Sequence, residues 1–300
     1  RLSRGLGDVY KRQIFNTPLN EIQTSDLILL IGANPRYEAS VLNLKIRNAI
    51  KKNNAKVYGI GQIPDQTYKI SDLGENIEIL DEIISGNQSF SKVLFASKNP
   101  VIIIGESVLT NSVGSYVIEK VKQILVNLKK PKGLNILHQS ASAVGSIILK
   151  SYNENYSKMP NSDLIYLLNA DEIKIDKKKS QFVIYQGTHG GENTKIADVV
   201  LPGAAYTEKD GIYVNLEGRP QLANKASYPP GNAKDDWKII KALSDKFNKP
   251  LSYNTFEELR EKMFKEYPIL SKIDFLPDIN YNDFNYEQVK TIKKNIEVHQ

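Results

Sequence analysis

The chain has 300 residues, of which 41% are hydrophobic and 25% charged, a globular composition in which no apolar run approaches the roughly 20 residues that a membrane-spanning helix needs. Its formal net charge of +6 is modest, and its short lysine clusters carry no interleaved aromatic residues, so we expect neither a nucleic-acid partner nor direct membrane insertion. The absence of cysteine excludes disulfides, a thiolate nucleophile and any cysteine-held zinc or iron–sulfur site within these residues.

Residues 1–13, RLSRGLGDVYKRQ, fit neither a secretory signal nor a helix. They lack the apolar core of a signal peptide, and Gly5 and Gly7 interrupt any helical period. We therefore predict a leader over residues 1–18. Residues 1–13 are either a foreign extension in front of a fragment or a genuine disordered leader.

From Leu19 onward, short apolar runs alternate with longer amphipathic stretches, as strands and helices do when they alternate along a chain. The clearest amphipathic stretch places Leu42 and Ile46 on one stripe and leaves its basic residues outside that stripe. The predicted strands of this part are Leu27–Ile31, Lys56–Ile60, Val101–Ile104 and Asn135–Leu137, and the predicted helices span about 38–53, 77–84, 90–96, 115–128 and 140–149.

The second half of the chain continues this alternation and then becomes polar and irregular. Thr255 precedes Glu258 by three residues, which is the capping-box spacing at the start of a helix. Trp237 lies on a helical stripe with Ile240, and we expect it to anchor that helix to the sheet. The predicted strands are Leu164–Leu168, Phe182–Tyr185, Val199–Leu201 and Ile212–Asn215, the predicted helices are Asp235–Phe247 and Thr255–Tyr267, and residues 268–300 are predicted to be an arm or a poorly ordered tail.

Strands this apolar on both faces are typical of a parallel sheet that is covered by helices on each side. We therefore predict an α/β fold with a doubly wound, mostly parallel sheet and helices on both faces. The sheet and its helices are assigned to one domain over residues 19–248. Residues 249–300 are predicted to form a small C-terminal appendage of one helix and an irregular tail.

In open α/β sheets, ligands bind beyond the carboxyl ends of the strands, near the switch in strand order. The strand ends of this chain are small or polar, so that backbone N–H groups could face a phosphate or a ribose. No GxGxxG follows the first strand and no GxxxxGK[ST] is present, which gives little support to a nicotinamide or P-loop nucleotide site. These strand ends read Gly32-Ala-Asn-Pro, Gly105-Glu-Ser, Asn169-Ala-Asp and Gln186-Gly-Thr-His.

Residues suited to metal binding or nucleophilic catalysis are sparse. None of His138, His189 and His299 has a partner at metal-ligand spacing. His189, at a strand end, is the best placed of them for proton transfer, although loop packing explains it more simply. Ser140 and Ser142 follow His138 without a G-x-S-x-G elbow, which argues against a hydrolase. We predict no metal site and no catalytic residue.

The carboxylates of Glu208, Asp210 and Glu217 are the remaining candidates for an acid/base pair. They lie in one polar stretch between glycines. Capping of the backbone and pairing with Lys209 and Arg219 explain them more simply than catalysis does.

The stretch from Ala197 to Gln221, ADVVLPGAAYTEKDGIYVNLEGRPQ, is the most distinctive in the chain. It resembles the ADVVLP…E…G…N.EGR.Q signature of molybdopterin oxidoreductases. The segments DLILLIGANPRYEA, LNILHQSAS, FVIYQGTHG and PPGNAKDDWKIIKALS narrow the resemblance to the large iron–sulfur subunits of the proton-pumping NADH:quinone oxidoreductases, respiratory complex I. The resemblance runs from about Thr24 to about Tyr267, with the segments in the same order as in that family.

This resemblance implies a scaffold of the peripheral electron-transfer arm that has no catalytic residue of its own. The 4Fe-4S and 2Fe-2S clusters of the parent chain would be held by cysteines of an absent N-terminal part, and no cofactor is expected in these residues. The implied partners are the other subunits of that arm, including the flavin-bearing NADH-oxidising subunit, on the cytoplasmic side of a bacterial inner membrane or the matrix side of a mitochondrial one. Gly32, Asn34, Gln186 and His189 would then mark a vestigial pterin-dinucleotide crevice.

The alternative is a true molybdopterin oxidoreductase, such as a formate-dehydrogenase-like enzyme. In such an enzyme the same strand ends would bind the dinucleotide, and the Cys, selenocysteine or Ser that ligates the metal would come from a region upstream of this chain. The segments NPRYEA, ILH and YQGTHG favour complex I over the general family.

Overall fold

The computed structural model describes residues 14–151, 162–171, 173 and 175–277, so that the suspected extension 1–13 and most of the predicted tail lie outside the described residues. The chain divides into two compact units. Of the described residues, the first unit contains 14–150, Val214–Arg219 and 276–277, whereas the second contains those within Ser151–Tyr213 and Pro220–Phe275. The range 19–248, which we predicted as one domain, is thus shared between two units that each have a parallel sheet.

The first unit is built on a five-stranded parallel sheet with the order β3-β2-β1-β4-β5. The central strand β1 is apolar along its whole length because both of its faces are covered. The short strand β3 was not predicted, since its two residues are polar and carry no apolar pattern. The strands are β1 (Leu27–Ile31), β2 (Lys56–Ile60), β3 (Ser71–Asp72), β4 (Pro100–Gly105) and β5 (Leu134–Leu137).

Helices cover both faces of this sheet, as predicted. They are α1 (Pro35–Glu38), α2 (Ser40–Asn53), α3 (Ile79–Ser85), α4 (Ser89–Ala96), α5 (Glu106–Leu109), α6 (Gly114–Asn127) and α7 (Ala143–Ile148). Leu27 and Leu29 of β1 belong to a core that includes residues of α3, α4 and α6. Ile28 and Leu30 alternate with them and belong to a second core on the opposite face, which includes Leu42 of α2. The doubly covered α/β fold is confirmed.

Two helices of the first unit begin later in the chain than we predicted. The helix predicted from Glu38 is interrupted at Ala39, whose φ of −154° and ψ of 77° are not helical, so that α2 begins at Ser40. The helix predicted from Ser140 begins only at Ala143, because Ser142 has a left-handed backbone with a φ of 63°. In both cases one residue outside the helical region moves the boundary.

The end of the predicted leader is part of the first unit, which corrects the leader boundary at residue 18. Ile14 and Phe15 are fully buried, and Phe15 forms an antiparallel bridge with Asn135 of β5. The backbone N–H of Thr17 donates to Oδ1 of the buried Asn135 at 2.7 Å. Ile14 and Phe15 are too few to give an apolar period in the sequence, so their burial was not predicted. Their place in the core follows from the pairing of Phe15 with β5.

The second unit contains a three-stranded parallel sheet with the order β6-β7-β8. One face of it is packed around Ile165, Leu167, Val183 and Tyr185. A separate two-stranded sheet is formed by β9 and β10. The strands are β6 (Leu164–Leu168), β7 (Phe182–Gly187), β8 (Val199–Pro202), β9 (Gly211–Val214) and β10 (Pro220–Ala223), and the helices are α8 (Glu192–Ile196), α9 (Asp236–Lys246) and α10 (Phe256–Glu266).

The predicted C-terminal helix is present as α10. The Thr255 hydroxyl accepts from the backbone N–H of Glu258 at 3.2 Å, as the capping-box spacing predicted. The Glu258 carboxylate accepts from the N–H of Asn254, one residue earlier than in a standard capping box. Trp237 is only half-buried, and its ring lies 6.3 Å from the rings of both Tyr253 and Phe256, so that it joins α9 to the start of α10.

Candidate functional site

The carboxyl ends of β1 and β4 meet at the switch in strand order of the first unit. Gly32, directly after β1, has a φ of +54°. A Cβ on Gly32 would lie 2.3 Å from Cγ2 of Val108, and a Cβ on Gly105 would lie 2.1 Å from the carbonyl oxygen of Gly32. The two glycines therefore allow the backbone and the Val108 side chain to come close together at this strand end.

The side chain of Asn34 is held by the loop that follows β2. Its Nδ2 donates to the carbonyl oxygen of Pro64 at 3.1 Å, and its Oδ1 accepts from the side-chain amide of Gln66. Beside it, Arg36 and Tyr37 both bind the Asp65 carboxylate of the same loop. These contacts close the loop onto α1, and both polar groups of the Asn34 side chain are engaged within the protein.

Two carboxylates accept from backbone N–H groups at these strand ends. Glu38 Oε2 accepts from the N–H of Asn34 at 3.2 Å, and Glu106 Oε2 accepts from the N–H of Gln139 at 2.8 Å. Glu38 Oε1 also accepts from the Gln139 side chain at 3.3 Å, and Glu106 Oε1 lies 3.4 Å from Nδ1 of His138. The amides that could face a phosphate are thus already bound to the protein's own anions.

This part of the first unit does not suit an anionic pterin dinucleotide. A diphosphate beside Glu38 and Glu106 would meet like charge, and it would have to displace them from the amides of Asn34 and Gln139. The space in front of Gly32 is also taken by Val108. We did not single out Glu38 from the sequence, and Glu106 was noted only as part of a strand end.

In the second unit, the Gln186 side chain is fully buried and satisfied by protein groups. Its Nε2 donates to Oδ1 of Asp236 at 2.8 Å, and its Oε1 accepts from the Tyr166 hydroxyl. The other oxygen of Asp236 pairs with Lys209. A Cβ on Gly203 would lie 2.9 Å from Asp236 Oδ1, which shows how closely this network is packed. Gln186 therefore ties β7 to β6 and to the first turn of α9.

His189 lies three residues after Gln186 but in a different environment. Its ring is exposed, with Nδ1 2.9 Å from the Thr188 hydroxyl, and its carbonyl oxygen accepts from Tyr185 at 3.1 Å. Burial raises the pKa of Tyr185 to about 12, assisted by its hydrogen bond to Asp171. Tyr185 therefore stays protonated at neutral pH and holds the His189 backbone, whereas the imidazole itself faces solvent.

The four predicted site residues differ in the unit to which they belong and in the groups that they contact. Gly32 and Asn34 belong to the first unit, and Gln186 and His189 to the second. Within each unit the two residues have different partners. The common crevice that we inferred from the resemblance stays a prediction.

The three carboxylates considered as an acid/base pair bind backbone N–H groups. Glu208, Asp210 and Glu217 accept from the N–H groups of Ala205, Lys225 and Leu19, respectively, at 2.7 to 3.0 Å. Binding of the backbone by these carboxylates is thus observed, two of the contacts being long-range, and their lack of a catalytic role stays a prediction. The predicted pairing of these carboxylates with Lys209 is wrong, because the ammonium group of Lys209 forms its ion pair with Asp236.

The described part of the chain contains neither a group of metal ligands nor a membrane-spanning helix. Within the described ranges, no three His, Asp or Glu side chains are grouped as metal ligands would be. None of the helices in those ranges is both long and apolar enough to cross a bilayer.

The comparison with known proteins extends across most of the chain. Residues 4–246 match the family model of the molybdopterin oxidoreductases, and this match begins inside the segment that we suspected to be foreign. The chain is 45% identical over 277 residues to the NADH-ubiquinone oxidoreductase 75 kDa subunit of Reclinomonas americana, which covers 89% of this chain and 40% of the relative.

Bacterial relatives show a similar degree of likeness. The G subunit of the NADH-quinone oxidoreductase of Rickettsia bellii is 42% identical over 276 residues, and that of Rickettsia felis is 41% identical over 278 residues. Each alignment covers 91% of this chain and 40% or 41% of the relative, so that the chain spans about two fifths of the length of the relatives it matches. With its parallel α/β sheets and a family match over residues 4–246, the chain belongs to the molybdopterin oxidoreductase family.

Proposed function

We propose that this chain is part of the large iron–sulfur subunit of an NADH:quinone oxidoreductase, respiratory complex I, and that it serves there as a scaffold of the peripheral arm. The similarity to the bacterial G subunits and to the 75 kDa subunit, at 40–45% identity over about nine tenths of the chain, supports this assignment. On this proposal the iron–sulfur clusters are bound by cysteines of the parent subunit outside these residues, since the chain has none.

The observation that carries the scaffold role is the occupation of the strand-end amides by Glu38 and Glu106. A cofactor site of this fold needs those donors for phosphate. Here the same donors stabilise the fold, and Gln186 of the second unit is likewise bound to protein groups. Electrons would then pass from NADH through flavin and clusters held elsewhere, while this part supplies structure and contact surface.

The proposed partners are the other subunits of the peripheral arm, including the flavin-bearing subunit that oxidises NADH. The proposed location is peripheral, on the cytoplasmic face of a bacterial inner membrane or the matrix face of a mitochondrial one.

The test is to isolate the full-length parent protein, tagged, from native membranes. We expect the flavin-bearing and quinone-module subunits to be recovered with it by mass spectrometry, and the isolated complex to contain iron but no molybdenum, tungsten or pterin. Recovery of a formate-dehydrogenase-type partner, or of pterin in stoichiometric amount, would instead establish the alternative of a working molybdopterin enzyme.

Substitutions at the predicted crevice give a second test within the assembled complex. His189→Ala removes an exposed ring whose described contact is Thr188, and Asn34→Ala removes bonds to the loop after β2. Both variants should keep nearly the wild-type rate of quinone reduction by NADH. Loss of turnover with normal assembly would contradict the scaffold role.

A further inference from the structure

The outward face of α2 exposes large apolar side chains in the first unit. Val41 is 64% exposed and Leu44 55% exposed. Together with Asn48 and Lys51 they follow the spacing i, i+3, i+7, i+10, which places all four on one side of the helix. These positions therefore form one continuous strip, which we call the α2 strip.

The α2 strip is rigidly presented because the opposite side of the helix is part of the core. Leu42, Ile46 and Ala49 are buried against the sheet. The helix ends at Asn53 and is capped by Asn54, whose backbone is left-handed and whose N–H donates to the carbonyl oxygen of Ala49. A partner would therefore meet a preformed surface, which lowers the entropic cost of association.

All charged side chains of α2 are basic. The helix carries Lys45, Arg47, Lys51 and Lys52 and no carboxylate. Lys45 donates to the side chain of Asn20, whereas no carboxylate in the described part of the chain pairs with Arg47, Lys51 or Lys52. Two of these lysines suit the helix C-terminus electrostatically, but that effect explains neither Arg47 in mid-helix nor the exposed Val41 and Leu44.

We propose that the α2 strip is a docking surface for another protein subunit, one that packs apolar side chains on Val41 and Leu44 and places carboxylates opposite Arg47 and Lys51. The proposal rests on the proposed function, which supplies an assembly for the strip to bind. The single sign of charge determines the chemistry of the partner, since only an acidic surface would complement it.

A protein partner fits this surface better than a lipid bilayer does. A helix that lies in a membrane interface uses one long apolar face for burial in lipid. In α2 that face is already buried against the sheet, and the α2 strip offers only two adjacent apolar side chains before it becomes polar. A few apolar anchor residues surrounded by a polar or charged rim are typical of interfaces between proteins.

The experiment introduces Leu44→Glu into the full-length subunit and follows its incorporation into the native complex. The new carboxylate would be buried against apolar groups, so that the assembled fraction should fall about tenfold or more. The double variant Arg47→Glu, Lys51→Glu should also lower incorporation, because it opposes like charges. A photo-crosslinking residue in place of Leu44 should link to one subunit, at a peptide that contains Asp or Glu.

Phe95→Glu is the matched control, because Phe95 is a 40% exposed apolar residue on α4 of the same unit. It should assemble at the wild-type level. Normal assembly of Leu44→Glu, equal loss with Phe95→Glu, or crosslinking to lipid would overturn the proposal while the scaffold role survives. Recovery of the wild-type subunit outside any complex would instead overturn the proposed function, and the α2 strip proposal with it.

Discussion

The backbone N–H of Gln139 donates to Oε2 of Glu106 at 2.8 Å across the carboxyl ends of β5 and β4. Glu38 makes the equivalent bond to the N–H of Asn34 after β1. In a ligand-binding α/β fold, donors in these positions are available to a phosphate. Here internal carboxylates satisfy them, so that a phosphate would have to compete with the protein's own side chains for these donors.

Removing both carboxylates should expose an anion-binding tendency. In Glu38→Ala, Glu106→Ala the amides of Asn34 and Gln139 lose their acceptors, so that the unfolding free energy should fall by roughly 2–4 kcal/mol. Sulfate should restore more of this stability than chloride at equal ionic strength, as thermal melting would show. Glu75→Ala, at an exposed position, should give no sulfate-specific effect. Equal recovery in both salts would mean that the amides do not form an anion site.

Asp26 should make stability depend on pH in the acid range. Burial alone would raise its pKa, but hydrogen bonds from Ser97 and the N–H groups of Lys98 and Asn99 lower the pKa below the ordinary value of 3.8. A depressed carboxyl pKa adds stability that is present above the unfolded pKa and is lost as pH falls through the folded one. Asp26→Asn should therefore cost about 1–3 kcal/mol at pH 7, and much less below about pH 3.

Urea unfolding at the two pH values would measure this difference. Asp163→Asn is the control, since that aspartate is exposed and should behave as wild type at both. A cost for Asp26→Asn that stays constant from pH 7 to pH 3 would show that the three donors do not act on the ionised form.

Gly187→Ala should disrupt the second unit. A Cβ at this position would lie 2.4 Å from the hydroxyl oxygen of Tyr185, and the Tyr185 ring is buried and bound to Asp171. Because the ring cannot move away without breaking that bond, the unfolding free energy should fall by about 1–3 kcal/mol. Gly190→Ala, where the nearest atom is 3.8 Å away, should be close to neutral in the same denaturation assay. A neutral Gly187→Ala would show that the Tyr185 ring is free to shift.

Trp237→Ala should cost less than the roughly 3–5 kcal/mol expected for a fully buried tryptophan. The side chain is half-buried and lies against Tyr253 and Phe256, so that about 1–3 kcal/mol is expected. The sole tryptophan also serves as a probe, because Tyr253→Ala should shift its fluorescence to the red. An unshifted spectrum would contradict the contact between α9 and the start of α10.

Strands that are buried on both faces could be predicted because they read as uninterrupted apolar runs. β1 and β4 are examples in which every residue is buried. The division into two sheets could not be predicted in the same way, since the apolar run of β6 resembles that of β1 and does not state which strand is its neighbour. Pairing is a long-range property, and it is decided by packing in three dimensions.

The strand-end rule selects Gly32 and Asn34 from the sequence, and their part in a binding site stays a prediction. The contacts made at these strand ends were not predicted. The bond from the N–H of Asn34 to Glu38 is local and resembles that from Asn254 to Glu258, but no Ser or Thr precedes Glu38 at the capping-box spacing that marked the later helix. Val108 was equally hidden, since its effect on Gly32 arises only when β4 is placed next to β1.

The tip of the β9–β10 hairpin has a consequence for synthesis on the ribosome. Val214–Arg219 belongs to the first unit, where Leu216 accepts from the N–H of Phe15 and Glu217 accepts from the N–H of Leu19, a partner 198 residues earlier in the chain. These contacts of the first unit therefore form only after the part of the second unit that precedes Val214 has been translated. The first unit therefore cannot be completed during synthesis before the ribosome has passed Arg219.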